Sequence, residues 1–383
     1  MFPRNAEVVI IGGGVIGASI LYHLSKRKIK AVAVEKNELA SGSSGACDGL
    51  IFLQSKKPGP HLQLALESKA RFEHLQEELD LQLEYRNPGG MIIIEDEDEL
   101  KVMDSFVEEQ RNTGLDVSIL DPHEAREMEP SLSEALSGAT FSPLDAKINP
   151  ILLTLAFISS AQRFGSKAFT DCEVTGIEVK SGRVRVVHTT RGKIETSVAV
   201  NAAGAHAPSI GKMVNVPIPI KPRRGQLLVT ESVPPMVTSG ILSARYIVAK
   251  FNSTLEKPQK GGISIDQTYN GNLLLGATRE FVGFDKRTTY VGIKNIATHT
   301  SRVIPQLKDI HIIRAFAGLR PYTPDGLPIL GKVDGIKGFV MAAGHEGDGV
   351  ALSPATGALI AELIDIGSTH IPLDEFALER FHS

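Results

Sequence analysis

Glycines at 12, 13, 14 and 17 directly follow the β-branched run 7–11 and open a segment with helical spacing (Ile16, Ile20, Leu24). Gly12-Gly13-Gly14-Val15-Ile16-Gly17 therefore satisfies G-x-G-x-x-G at a strand-to-helix turn. Glycines there let the backbone turn tightly and approach a pyrophosphate, while the helix N-terminus supplies amide donors and a partial positive charge. Glu35 lies 18 residues after Gly17, at the end of a second apolar run, where a carboxylate accepts from ribose hydroxyls. Alone, the glycines would equally serve a close helix-strand crossing with no ligand. Strand, helix and acid together point to a dinucleotide, and the acid to an unphosphorylated adenosine ribose, hence FAD or NAD rather than NADP.

Other reactive residue types are present without a reactive pattern. Cys47 and Cys172 are too few for a disulfide framework and lack zinc-ligand spacing, which fits a reducing compartment. Cys47 reads as a small buried residue, and His23, His61 and His206, scattered along the chain, read as structural. His345, Glu346 and Asp348 sit in a glycine-punctuated stretch that suits a backbone turn, so no metal is expected. Across 383 residues, 41 basic against 44 acidic side chains leave a formal charge of −3, too near neutrality for a nucleic-acid or anionic-membrane surface. The expected ligand is small.

The elements that must position these residues begin with a βαβ unit: strand 7–11, helix 15–26, strand 31–34. A polar small-residue loop (37–49), a long helix (61–83) and a buried strand (91–94) follow. Asp96 with Glu99 forms a capping box for a helix to 112, and the acidic run 95–99 is helix-start chemistry. Asn149-Pro150 starts a further helix to 164, and runs 173–180, 183–189 and 194–201 read as a meander. From 221 to 314 the signals are β-rich (226–229, 241–248, 272–277) with a helix at 294–303, before a strand at 339–343 and a last helix at 350–366. Residues 8–24 are too short and too broken by glycine to span a bilayer and lack the flanks of a signal peptide, so a cytoplasmic location is expected. The pattern predicts a nucleotide-binding domain assembled from N- and C-terminal pieces around an inserted domain.

Separated segments along the whole chain resemble the glycine oxidase, D-amino-acid oxidase and sarcosine oxidase superfamily of FAD enzymes. They are the fingerprint with Glu35 and Ser41-Gly42-Ser43-Ser44-Gly45; Val200-Asn201-Ala202-Ala203-Gly204; Leu275-Gly276-Ala277-Thr278-Arg279-Glu280; and, most specific, Gly318-Leu319-Arg320-Pro321 through Gly331, followed by Ala342-Ala343-Gly344-His345 and Pro354-Ala355-Thr356-Gly357. The resemblance implies an α/β chain, α+β overall: a Rossmann-like FAD-binding domain (1–90, 146–220, 315–383) with an inserted mixed-sheet substrate domain (91–145, 221–314). It places Val15 and Ile16 under the pyrophosphate, Glu35, Lys36 and Val174 at the adenosine, Ser43 and Ser44 on phosphate oxygens, and Gly204 beneath the cofactor. Asp48, Gly49 and Leu50 lie along the flavin, and Gly344, His345, Glu346, Gly347, Asp348, Gly349, Val350 and Ala351 bring backbone amides and a helix N-terminus to its pyrimidine edge. Arg320 matches the family's carboxylate-gripping arginine, and Tyr246 a tyrosine near the substrate.

One departure bears on the substrate. Glycine oxidase has a second carboxylate-binding arginine where this chain has Gly347, which counts against glycine. Residues 344–349, with Ile265-Asp266-Gln267-Thr268, are more similar to the β subunits of opine, proline or hydroxyproline dehydrogenases and hydrogen cyanide synthase. The function so implied is oxidation of a small amino or imino acid of proline, hydroxyproline or opine type by hydride transfer to FAD, as the catalytic β subunit of a dehydrogenase complex with an electron-accepting flavin or iron-sulfur subunit as partner. The alternatives are an oxygen-using oxidase, a non-catalytic FAD-carrying subunit, and a nicotinamide-dependent dehydrogenase built on the same fingerprint.

Overall fold

The computed structural model describes residues 2–251 and 262–381. Strand β1 (Val8–Ile11), helix α1 (Val15–Lys26) and strand β2 (Ala31–Val34) form the expected opening unit. The two strands are interior neighbours in a six-stranded sheet with the order Ile329–Lys332, Phe339–Ala343, Val198–Asn201, β1, β2, Lys167–Phe169. All neighbours are parallel except the edge pair Ile329–Lys332 with Phe339–Ala343. Side chains alternate across a strand, so one face receives Val8, Ile10, Ala31 and Ala33, packed with Ile20, Phe157 and Leu359 of three helices. The other receives Val9, Ile11, Val32 and Val34, packed under the meander by Ile177, Val184 and Ile194. Burial on both faces is why these parallel strands read as unbroken apolar runs.

A second, eight-stranded mixed sheet runs Ile312–Tyr322, Lys221–Ser232, Asn272–Gly276, Ser264–Gln267, Gly240–Ser243, Gly90–Ile94, Gly138–Ser142, Ser118–Leu120. Its strand Ile312–Tyr322 begins before residue 315, so the expected 314/315 boundary falls inside an element of this sheet. The last helix, Gly349–Ile366, is long and apolar enough to cross a membrane, but 67% of it is buried inside the molecule. It packs on α1, where Ser19 Oγ donates to the Ser353 carbonyl at 2.8 Å and Gly357 leaves room for Ser19.

Several expected elements differ at their edges. The run 241–248 is a strand only to Ser243; the helix Ala244–Phe251 follows, its Arg245 tied to Glu95 and Glu99, because a short apolar run carries no periodicity that separates strand from helix. The run 194–201 is two strands in two sheets, Gly192–Glu195 and Val198–Asn201, with Thr196 Oγ1 bonded to the Glu7 carbonyl at the switch. The helix expected at 61–83 is Pro60–Leu79, ended by left-handed Asp80. Asp96 caps Glu99 as expected, yet Glu99 returns its bond to the Glu95 amide rather than to Asp96.

Candidate functional site

A cavity of about 560 Å³ is lined by both large sheets and extends from Gly12 and Glu35 to Arg320 and Val350. Its first end is built from backbone. Gly12 has φ +121°, and a Cβ there would stand 2.5 Å from the Ala202 carbonyl oxygen. The N-terminus of α1 opens onto the wall, with the Val15 N–H held by Ser44 Oγ at 2.9 Å. Glu35 accepts from the Gly13 N–H at 2.7 Å through one oxygen and from the Asn37 N–H at 2.9 Å through the other. Gly14, Val15, Ile16, Lys36, Ser43, Ser44, Val174 and Gly204 share this wall. Gly17 does not: it is a glycine because a Cβ would meet the Gly12 carbonyl oxygen at 2.0 Å.

His206, read from the sequence as structural, lines the cavity here. Its ring stacks on Phe284 at 4.6 Å and its Nε2 lies 3.2 Å from Lys36 Nζ. Burial, with Lys36 and Lys286 nearby, lowers its pKa.

Along the middle, Asp48 and Leu50 line the wall, whereas Gly49 lies behind it, pressed against the Ile148 carbonyl, and Ala351 is also outside it. Burial raises the Asp48 carboxyl. Cys47 also faces the cavity, and burial pushes its thiol up, away from the nucleophilic thiolate.

The far end carries side chains in charged pairs. Asp348, immediately before the last helix, meets Lys56 at 2.7 Å and His61 at 3.2 Å, both deeply buried. No local sequence pattern marks Lys56, and the expectation that His61 is structural carries no sign of this meeting, since one lies in a loop and the other in the helix Pro60–Leu79. His345 bonds Thr356 Oγ1 at 3.1 Å and burial drops it to about 3. Glu346 is paired with Arg223; burial works to raise it, but Arg223, Arg320 and Arg279 together hold it below the usual carboxylate range. Gly344, Gly347, Gly349 and Val350 complete this end.

Arg320 stands opposite Arg223 across the paired strands Ile312–Tyr322 and Lys221–Ser232. Its Nη1 donates to the Thr278 carbonyl at 3.0 Å, over Gly225, where any Cβ would collide with the guanidinium. Arg279, the next residue after Thr278, also lines the cavity, its Cζ 4.0 Å from the centre of the Tyr246 ring. Burial and the neighbouring Arg320 lower Arg279 to about 10. Arg279 lies in the stretch 275–280 that carries the family resemblance, and no spacing in the sequence marks it as a site residue. Among the described residues no group of three or more His, Cys, Asp or Glu side chains is placed to hold a metal.

The profile of the family described as FAD dependent oxidoreductase (DAO) matches residues 7–363. The chain is 31% identical over 381 residues to glycine oxidase of Geobacillus kaustophilus, across 98% of this chain and 97% of that protein. It is 29% identical over 420 residues to hydrogen cyanide synthase subunit HcnC of Pseudomonas protegens, across 99% and 97%. The solved structure of L-proline dehydrogenase from P. horikoshii superposes with a TM-score of 0.91 at 28% identity, covering 100% of this chain and 99% of that one.

Proposed function

This chain belongs to the DAO family of FAD-dependent oxidoreductases, and from that premise we propose that it oxidises the carbon-nitrogen bond of an amino or imino acid whose carboxylate Arg320 holds. The observation that carries this is Arg320 itself: a cavity-lining guanidinium anchored through Nη1 to the Thr278 carbonyl and in no ion pair among the described residues. A planar fork matches a carboxylate bidentately, and such charge-assisted bonds are roughly twice as strong as neutral ones.

The wall fits FAD. Gly12 and Gly14 present no side chain where the pyrophosphate would approach, and the N-terminus of α1, with its partial positive charge, opens there. Each Glu35 oxygen holds one backbone N–H and keeps acceptor capacity for a ribose hydroxyl. Val15, Ile16, Ser43 and Ser44 would hold the pyrophosphate, Lys36, Val174, Gly204 and His206 the adenosine, and Asp48, Leu50 and residues 344–350 the flavin. Bound there, FAD supplies the two-electron acceptor for the oxidation. Arg320 fixes the carboxylate and thereby the orientation of the adjacent carbon; the pairing of Glu346 with Arg223 keeps that acid from competing for Arg320; Lys56 and His61 hold Asp348 at the start of the last helix.

The electron acceptor we propose is a partner flavin or iron-sulfur subunit. Support comes from the likeness to a synthase subunit and to a proline dehydrogenase. The likeness to glycine oxidase supports an oxygen-using second reading. The two free cysteines fit a cytoplasmic location. An anaerobic screen of D- and L-proline, hydroxyprolines, glycine, sarcosine and opines should bleach the bound flavin with at least one compound. Peroxide formed by the isolated chain as fast as a dye is reduced would favour the oxidase; no bleaching, alone or in the native complex, would end the amine-oxidation reading.

A further inference from the structure

The charges around the reactive end of the cavity do not balance. Arg223 is paired with Glu346 and Lys56 with Asp348; Lys147 and Asp266 pair outside the lining, and the lining Asp48 carboxyl, pushed by burial towards its neutral form, makes no ion pair among the described residues. Two lining guanidiniums remain, Arg320 and Arg279, and among the described residues neither forms an ion pair with a carboxylate. Arg320 is bonded to the carbonyl of the residue before Arg279, so the two cations are neighbours on one wall. Arg279 Nε is buried with no hydrogen-bond partner among the described residues, and its planar group rests against Tyr246. A buried donor left unsatisfied beside a like charge is costly unless an anion completes it. One carboxylate can engage the fork of Arg320, and that leaves Arg279 with only the shared field of Glu346 and no hydrogen-bonded anion among the described residues.

Resting on the amino-acid reading above, we propose that Arg279 is a specificity-determining residue that binds a second carboxylate, and that the substrate class is an amino or imino acid bearing two carboxylates. Tyr246 then acts through Arg279, its ring fixing the plane in which the guanidinium meets the ligand. The Gly347 departure from glycine oxidase gains a counterpart: a guanidinium is absent from the loop before the last helix, and another enters from the strand end after Gly276.

The test separates recognition of acid groups from oxidation of amines by using ligands with no nitrogen. Holoenzyme is titrated with oxydiacetate against methoxyacetate, and glutarate against butyrate, following the perturbation of the flavin absorbance. At least one diacid should bind about 10- to 100-fold more tightly than its monoacid partner, the range of a charge-assisted hydrogen bond. In Arg279→Met that ratio should collapse to within about threefold, and Arg279→Lys, which keeps the charge and loses the fork, should restore part of it. Flavin content reports whether each variant is folded, and the lysine variant keeps the test alive if the methionine variant is not. A wild-type ratio near one, or an Arg279→Met loss equal for diacid and monoacid, overturns the proposal; the latter means that both arginines serve one carboxylate or that Arg279 is structural. If amines fail to bleach the flavin while the diacid ratio behaves as expected, the amine-oxidation reading alone is lost.

Discussion

The two ends of the cavity are made of different materials. At the Gly12 end the wall is backbone: glycines without side chains, amides at the start of α1, and one carboxylate whose two oxygens hold backbone N–H groups. At the Arg320 end it is long charged side chains from distant segments, paired as Arg223 with Glu346 and Lys56 with Asp348. A backbone cradle binds whatever has the right shape and charge and tolerates loss of any one donor. A wall of buried charges depends on each member, because removing one leaves its partner desolvated. Losses at the second end should therefore be larger and fall on substrate; losses at the first should be smaller and fall on cofactor.

The largest expected effect is at Arg320. Arg320→Ala removes the proposed carboxylate anchor, and breaking one partner of a buried charged pair costs roughly 3 to 5 kcal/mol. At 1.4 kcal/mol per decade, kcat/KM should fall by roughly two to three and a half powers of ten. Arg320→Lys should recover only part, and FAD content should stay near that of the parent. If Arg320→Ala disables an acid substrate and its carboxylate-free amine equally, the residue holds the loop to Gly331 in shape and does not grip substrate.

A smaller effect is expected at Glu35. Glu35→Ala removes hydrogen bonds to a charged acceptor, each worth about 1.5 to 3 kcal/mol, so FAD should bind about 10- to 100-fold more weakly by fluorescence titration of apoprotein. Once FAD is saturating, the ranking of substrates should be unchanged. A changed ranking would break the division between the two ends.

The same division explains what the sequence reveals. The Gly12 end was legible because its members are close in sequence and their spacing is the geometry: glycine 12 to 17, then an acid after the next strand. The central parallel sheet was legible because double burial forces unbroken apolar runs at 8–11 and 31–34. The Arg320 end is set by sheet register, Arg223 opposite Arg320, and by a strand end that delivers Arg279 to the same wall; neither leaves a local pattern. Resemblance supplied Arg320 and Tyr246, and Arg279, Lys56 and His61 were missed. His206 was missed for another reason, since its role depends on stacking with Phe284 from far along the chain.

The smallest effect sharpens the comparison through pH. His345, in the charged end, and His23, on α1 away from the cavity, are both held by burial at about 3. Unfolded, a histidine takes up its proton near 6.5, so between about 6.5 and 3 the unfolded chain binds protons that the native chain does not. Stability from either site is therefore fully present above about 6.5 and falls as pH drops towards 3, by at most about 1.4 kcal/mol per pH unit for each histidine. Urea unfolding of holoenzyme from pH 7 to pH 5 should show this slope, and His23→Gln should lessen it without altering substrate binding. His345 differs because its ring is bonded to Thr356 and feels Asp348, so its replacement should also shift the pH dependence of ligand binding. Identical behaviour of the two variants in both measurements would mean that the charged end is not coupled to His345, and that its pairs are set by Lys56, His61 and Asp348 alone.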